Sequence, residues 1–215
     1  MKLIATLLTA ILLAAMLMAG CAALPSSAEL DRDALAAVKA SFRDEGIATT
    51  DRLTQTSAQA ACSSATAPTD GEAQRIMSEA RATVKWPSGG QFIGDWREGE
   101  KLAQNGRGLT WTDPSAATSA NGGNCYNCHQ ISPAELSYGT IGPSLLRYGK
   151  QRGVSDPAAP TAQAIVEYTW THIYNAKAYS ACTSMPRFGH AGLLDEKQMR
   201  DLMALLLDPK SPVNQ

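Results

Sequence analysis

Residues 121–130 read NGGNCYNCHQ, placing Cys125, Cys128 and His129 within one short loop of a chain that holds only five cysteines and three histidines. Cys-x-x-Cys-His is the attachment pattern of c-type haem. The two thiols add across the vinyl groups as thioethers, and the adjacent imidazole supplies one axial bond to iron. Tyr126 and Asn127 span the anchors, while Gly122 and Gly123 leave the backbone room to approach a flat cofactor. A zinc site would need a closed set of Cys, His or carboxylate ligands, and the sequence has no second paired-ligand motif. A thioredoxin-like redox pair belongs beside a βαβ pattern, which is absent. The expected cofactor is therefore one covalently bound haem c.

The other axial position needs a donor from elsewhere in the chain. Met77, Met185, Met199, Met203, His172 and His190 are the candidates. Met199 and Met203 fall on an apolar helical stripe, where a core role is expected. Met185 stands in CTSMPRFGHAG, which has no helical periodicity, and Pro186 can stiffen the backbone that presents the sulfur. Met185 is expected to be the ligand, with His190 and then His172 behind it, because histidines are more often surface or satisfied groups. The competing reading is a loop methionine that packs on the haem edge without bonding iron. Histidine–methionine ligation raises the potential and leaves no vacant position, which suits electron transfer. Downstream, TIGPSLLRYG places Gly142 and Pro143 one loop after His129. The Pro143 carbonyl can accept the proton on the second imidazole nitrogen and fix the ring.

The overall charge, 19 basic against 20 acidic residues, gives no nucleic-acid signature. The N-terminus says more. Lys2 is the only charge before Glu29, and the apolar run from Leu3 to Met18 ends in the small residues Ala19, Gly20 and Cys21, so residues 1–20 read as an export signal. A transmembrane helix is the competing reading, but no basic stop-transfer cluster follows. LMAGC also resembles a lipoprotein signal in which Cys21 becomes the acylated first residue; Met18 stands where leucine is more usual, so lipidation and simple cleavage both stay open. The expected location is the periplasm, with membrane contact only if Cys21 is lipidated. In that oxidising compartment Cys62 and Cys182 remain as an even pair and are expected to form a disulfide, the alternative being two unpaired buried thiols.

Helical patterns run along the rest of the chain. Residues 26–46 predict an amphipathic helix capped by Ser27, with Leu30, Leu35, Val38 and Phe42 on one side and Gly46 as a stop. EAQRIMSEARATV predicts a second helix ending before Pro87. In GDWREGEKLAQNGRG, Asp95 can cap a helix whose interior Gly99 implies close approach of another helix. PTAQAIVEYTWTHIYNAKAY predicts a helix behind a Thr161 cap. LDEKQMRDLMALLLDP predicts a last helix with Asp195 and Gln198 at capping-box spacing. No alternating strand pattern or internal repeat stands out. The expected class is all-α with long loops, divided into a signal peptide (1–20), an N-terminal helical extension (21–90) and a cofactor domain (91–215).

Taken together, GDWREGEKLAQNGRG, NGGNCYNCHQ, GTIGPSL, YNAKAY, MPRFG and LMALLLDPKSPVN resemble the SoxX family of monohaem class I c-type cytochromes of bacterial sulfur oxidation. The resemblance covers about residues 30–215, and the MPRFGH loop with the LLLDPKSPVN ending narrows it beyond haem proteins in general. It implies the class I cytochrome c fold, haem on Cys125 and Cys128, proximal His129, distal Met185, and support from Gly142 and Pro143. It also implies a heterodimer with the SoxA cytochrome that acts as an L-cysteine S-thiosulfotransferase, joining thiosulfate to a cysteine of the SoxYZ carrier. This chain would then accept the released electrons and pass them to a downstream acceptor. The alternative is a free periplasmic electron shuttle. A haem sensor with an exchangeable sixth position is a third reading.

Overall fold

The structure is a computed structural model that describes residues 24–215. Residues 1–20, expected to be an export signal, and Cys21 lie outside the described residues. Seven α-helices joined by long loops and short 3₁₀ turns make up the described chain. The described residues form no β-strand, only an isolated bridge between Glu45 and Ala48. The class is therefore all-α. No described helix is long and apolar enough to cross a membrane.

The chain divides into two compact units, one ending at Arg43 and the other running from Asp44 to Gln215. In the first, α1 (Ser27–Ser41) starts from a reciprocal cap: the Glu29 amide donates to Ser26 Oγ, and the Ser26 amide donates to Glu29 Oε2 at 2.8 Å. The cap is Ser26, one residue before the Ser27 that the pattern suggests, because only Ser26 has Glu29 three positions on. No residue of α1 is buried.

The second unit begins with two helices that sequence periodicity reads unequally. α2 (Ser57–Ser63) is closed by a Thr56–Gln59 capping box and carries Cys62, which is bonded to Cys182 with the two Cα atoms 5.4 Å apart. α3 (Asp70–Ala82) has its own Thr69–Glu72 capping box and buries Ile76 and Ala80. An edge-to-face ladder of Trp86, Phe92 and Trp170 follows, with centroid spacings of 6.0 and 5.7 Å. Trp170 Nε1 donates to the Lys85 carbonyl at 2.8 Å, so its polar atom is satisfied inside the core.

The centre of this unit is the crossing of α4 (Trp96–Gln104) with the last helix. Asp95 caps α4 by accepting from the Arg97 amide at 2.8 Å. Two intervening elements precede the final helix: α5 (Tyr148–Gln151) and α6 (Gln163–Asn175), the latter burying Val166, Trp170, Ile173 and Tyr174. Thr161 does not cap α6; it lies inside a 3₁₀ turn, Pro160–Ala162, that leads into the helix without a side-chain cap. Proline at the first position pre-sets φ and makes that entry. α7 (Glu196–Leu207) opens on the Asp195–Gln198 capping box and buries Met199, Leu202, Met203 and Leu205.

Where α4 meets α7, a Cβ on Gly99 would overlap the Asp201 carbonyl. Glycine is thus required by close backbone approach. Asp201 is itself buried and is fully engaged: it accepts from the Asp95 amide at 2.9 Å and from Lys197 Nζ at 2.7 Å. The C-terminal turn Pro212–Asn214 then locks α5, since Asn214 Oδ1 accepts from the Gly149 amide at 2.9 Å and its Nδ2 donates to the Leu206 carbonyl at 3.1 Å.

Two stability outcomes follow from these contacts. Gly99→Ala is expected to lose about 1–3 kcal/mol by forcing α4 from α7, whereas Gly71→Ala, with nothing within 4 Å of the added atom, should be neutral or gain up to about 1 kcal/mol. Urea unfolding of both variants checks this; equal midpoints would contradict the crossing. Separately, the 120-residue separation of Cys62 and Cys182 means that replacing both by serine should cost about 2–5 kcal/mol through loss of loop closure. An unchanged midpoint would show that the bridge is not formed in solution.

Candidate functional site

The loop that carries the cysteines is tied to the end of α4. The Gly122 amide donates to Arg107 O at 2.8 Å, Gly123 to Leu102 O at 2.9 Å and Asn124 to Asn105 O at 3.0 Å. A Cβ on Gly122 would overlap the Asn105 carbonyl, so this strap lies against backbone that only glycine admits. Asn124 then takes a left-handed conformation (φ 51°, ψ 34°) and the chain turns through the 3₁₀ segment Cys125–Asn127. Asparagine tolerates that region better than most residues. The amides of both Cys128 (3.1 Å) and His129 (2.9 Å) donate to the Cys125 carbonyl, which folds the whole motif into one tight turn.

The following loop closes over this turn. Gly139 donates to Tyr126 O at 2.7 Å and Gly142 to Cys128 O at 2.8 Å. A Cβ on Gly142 would overlap the His129 ring, so the loop backbone is laid directly against the imidazole. The Pro143 carbonyl lies 2.7 Å from His129 Nδ1. A carbonyl can only accept, so Nδ1 carries the proton in this contact and Nε2 keeps its lone pair. That leaves the Nε2 lone pair of His129 available as a donor atom.

Cys125 and Cys128 are unbridged, although the same fold contains a disulfide. Burial, and then the neighbouring Cys128, push the Cys125 thiol up to about 12. The neutral form does not suit thiolate nucleophilic chemistry. Between the cysteines, Tyr126 is buried and donates to Glu100 Oε1 at 2.9 Å; burial and this acceptor raise its phenol above the usual range. Glu100 Oε2 is buried without a protein partner. Sequence reading does not find this contact, because 26 residues separate its partners and neither belongs to the motif.

The structure therefore brings Cys125, Cys128, His129, Gly142 and Pro143 together. Met185 lies on a different loop, half-buried, with its amide donating to Thr183 Oγ1 at 3.1 Å. Cys182 fixes that loop at one end through the disulfide, and buried Phe188 fixes it at the other. Cys125 and Met185 both pack against the same hydrophobic core. Met199 and Met203 are core residues at 4% and 0% exposure, and Met77 is half-buried on α3.

His172 stacks on Tyr179 with centroids 4.6 Å apart and also meets Tyr168 at 4.5 Å, while its Nδ1 has no partner. His190 is exposed, and its amide donates to Tyr174 O at 3.0 Å. Among the described residues no three His, Cys, Asp or Glu side chains gather so as to hold a metal ion. The donor set fits a haem: two adjacent thiols for the vinyl carbons, an oriented imidazole with a free lone pair, and glycine backbone against the ring.

Burial holds the His172 imidazolium below its ordinary value of 6.5, and nearby Arg152 acts in the same direction. The unfolded chain then binds the proton more readily than the folded one, so stability should fall as pH drops below about 6.5 and level off under the folded value. His172→Gln should flatten part of that slope. Urea midpoints measured on either side of neutrality check the prediction; an identical slope in the variant would contradict it.

No family model matches the chain. An uncharacterized lipoprotein of Aquifex aeolicus (strain VF5) is 38% identical over 162 residues, covering 73% of this chain and 71% of that protein.

Proposed function

The chain belongs to the family of the Aquifex aeolicus lipoprotein, and from that premise we propose that it is an exported monohaem class I c-type cytochrome. The observation that carries the reading is the turn in which unbridged Cys125 and Cys128 adjoin His129, whose Nδ1 is held by the Pro143 carbonyl at 2.7 Å. Cys125 and Cys128 would hold haem c through thioethers, and His129 Nε2 and the Met185 sulfur would be its iron ligands. The bound group supplies a reversible one-electron centre. The chain's own residues hold it in place: the Gly142–Pro143 backbone fixes the imidazole, and the disulfide at Cys182 with Pro186 stiffens the methionine loop. The lipoprotein name of the relative supports lipidation at Cys21 and a cell-envelope location on the periplasmic side.

The proposed role is the electron-accepting subunit of a SoxAX-type L-cysteine S-thiosulfotransferase. In that reaction a carrier thiol and thiosulfate form a sulfur–sulfur bond, releasing one proton and two electrons. Among the described residues Cys62 and Cys182 are bridged and Cys125 and Cys128 belong to the cofactor turn. That leaves the sulfur chemistry to the SoxA partner and the SoxYZ carrier. The loop after the motif supports a lasting partner rather than a free shuttle: Leu136 and Ile141 are 95% and 78% exposed, and this loop is hydrogen-bonded to the cofactor turn. Exposed apolar groups beside a redox centre suit a permanent interface.

Tagged chain purified from the envelope of a sulfur-oxidising host tests the assignment. A second cytochrome is expected to copurify. A pigmented monomer without that partner would leave the free shuttle. Met185→Ala should lower the reduction potential and alter the spectrum, whereas an unchanged potential and spectrum would reject the ligand, and fast carbon monoxide binding to the reduced native protein would favour the sensor reading.

A further inference from the structure

α1 carries apolar side chains that the fold leaves open to solvent. Leu30, Leu35 and Phe42 are each exposed over more than half of their surface, and no residue of the helix is buried. These side chains are not scattered. Leu30, Ala34, Val38 and Phe42 follow one another at four-residue spacing, and Leu35 stands in the adjoining row, so together they make one face. Asp31, which begins the second row, is the one charge among them. Arg32 with Lys39, seven residues apart, and Glu29 with Asp33, four apart, occupy the rest of the circumference. The helix has fifteen residues, and one of that length is marginal in water unless its apolar face is packed against something.

The position of α1 in the chain says what covers that face. Cys21, where a lipoprotein signal would place the acyl chains, precedes the Ser26 cap by five residues, which reach at most about 18 Å when fully extended. No charge occurs between Cys21 and Glu29, and Leu24, just ahead of the helix, is almost fully exposed. A short leash of this kind presents the helix to the bilayer at an effective concentration on the order of millimolar, so a weak affinity of its apolar face suffices. Glu29, Asp31 and Asp33 balance Arg32, Lys39 and Arg43. Association would therefore rest on apolar burial rather than on headgroup charge. Resting on the lipidation reading of Cys21 above, we infer that α1 is a membrane-surface helix, lying in the interface of the bilayer that anchors Cys21 with Leu30, Leu35, Val38 and Phe42 at the acyl boundary.

Hydrogen–deuterium exchange of the α1 amides tests this on mature protein purified from the envelope and reconstituted in vesicles of phosphatidylethanolamine and phosphatidylglycerol. A soluble Cys21→Ala chain, exported behind an ordinary cleavable signal, is the reference. In the reference the helix has no buried residue to protect it and should exchange quickly; on vesicles its amides should exchange about tenfold more slowly. Leu35→Glu and Phe42→Glu should lose that protection while the protein stays with the vesicles. Ala36→Glu makes the same charge change one position round the helix, outside the apolar face, and should keep it. Fast exchange of α1 in vesicle-bound, acylated wild type would overturn the docking and leave lipidation standing. Slow exchange already present in the soluble Cys21→Ala chain would overturn it too, since protein, either a second copy or the other unit of this chain, would then cover the face. A mature N-terminal peptide whose mass shows no acyl chain on Cys21 would overturn the lipidation reading, and the docking with it.

Discussion

The backbone contact between α4 and α7 at Gly99 is the constraint on which the rest of the site depends. Because no side chain intervenes there, the Asp201 carbonyl sits against the glycine, and the Asp201 carboxylate can reach back to the Asp95 amide at the start of α4. One buried acid thereby fixes the direction of a helix only nine residues long. The other end of that helix supplies the Leu102 and Asn105 carbonyls that receive the cysteine loop. Moving α4 would carry the Cys125–His129 turn with it.

A second chain of contacts holds the opposite loop. α2 is short, but its disulfide to Cys182 ties the segment ahead of the central domain to the loop that bears Met185. The structure gives the residues between Asp44 and Gly90 a scaffolding part: Ile76 and Ala80 are buried, Lys85 receives the Trp170 indole, and Arg81 donates to the Ala178 carbonyl at 3.0 Å. They belong to the same compact unit as the Cys125–His129 turn.

Legibility in the sequence followed the range of the interaction. The Asp195–Gln198 capping box and the Asp95 cap are local, and the sequence alone locates them. Gly99 could be read because glycine inside a strong amphipathic pattern requires a reason. Thr161 misleads because proline entry competes with side-chain capping, and Ser27 because serine occupies two successive positions and only the glutamate spacing separates them. α2 is seven residues of small side chains, too short for periodicity to show, although Thr56 and Gln59 carried its signature. The Tyr126–Glu100 contact is a product of tertiary packing, with no local pattern to disclose it. In the Cys125–His129 turn the motif is a local pattern, while the overlap of a Gly142 Cβ with the imidazole needed coordinates.

The central claim is that both cysteines of this turn are covalently committed to one porphyrin. Mass spectrometry of the proteolytic fragment spanning Cys125–His129, taken from mature protein purified out of the bacterial envelope, tests it most directly. The haem assignment predicts a single fragment carrying one haem on two thioethers, resistant to acidic acetone. A fragment of unmodified mass, with Cys125 and Cys128 as free thiols or joined to each other, would contradict it.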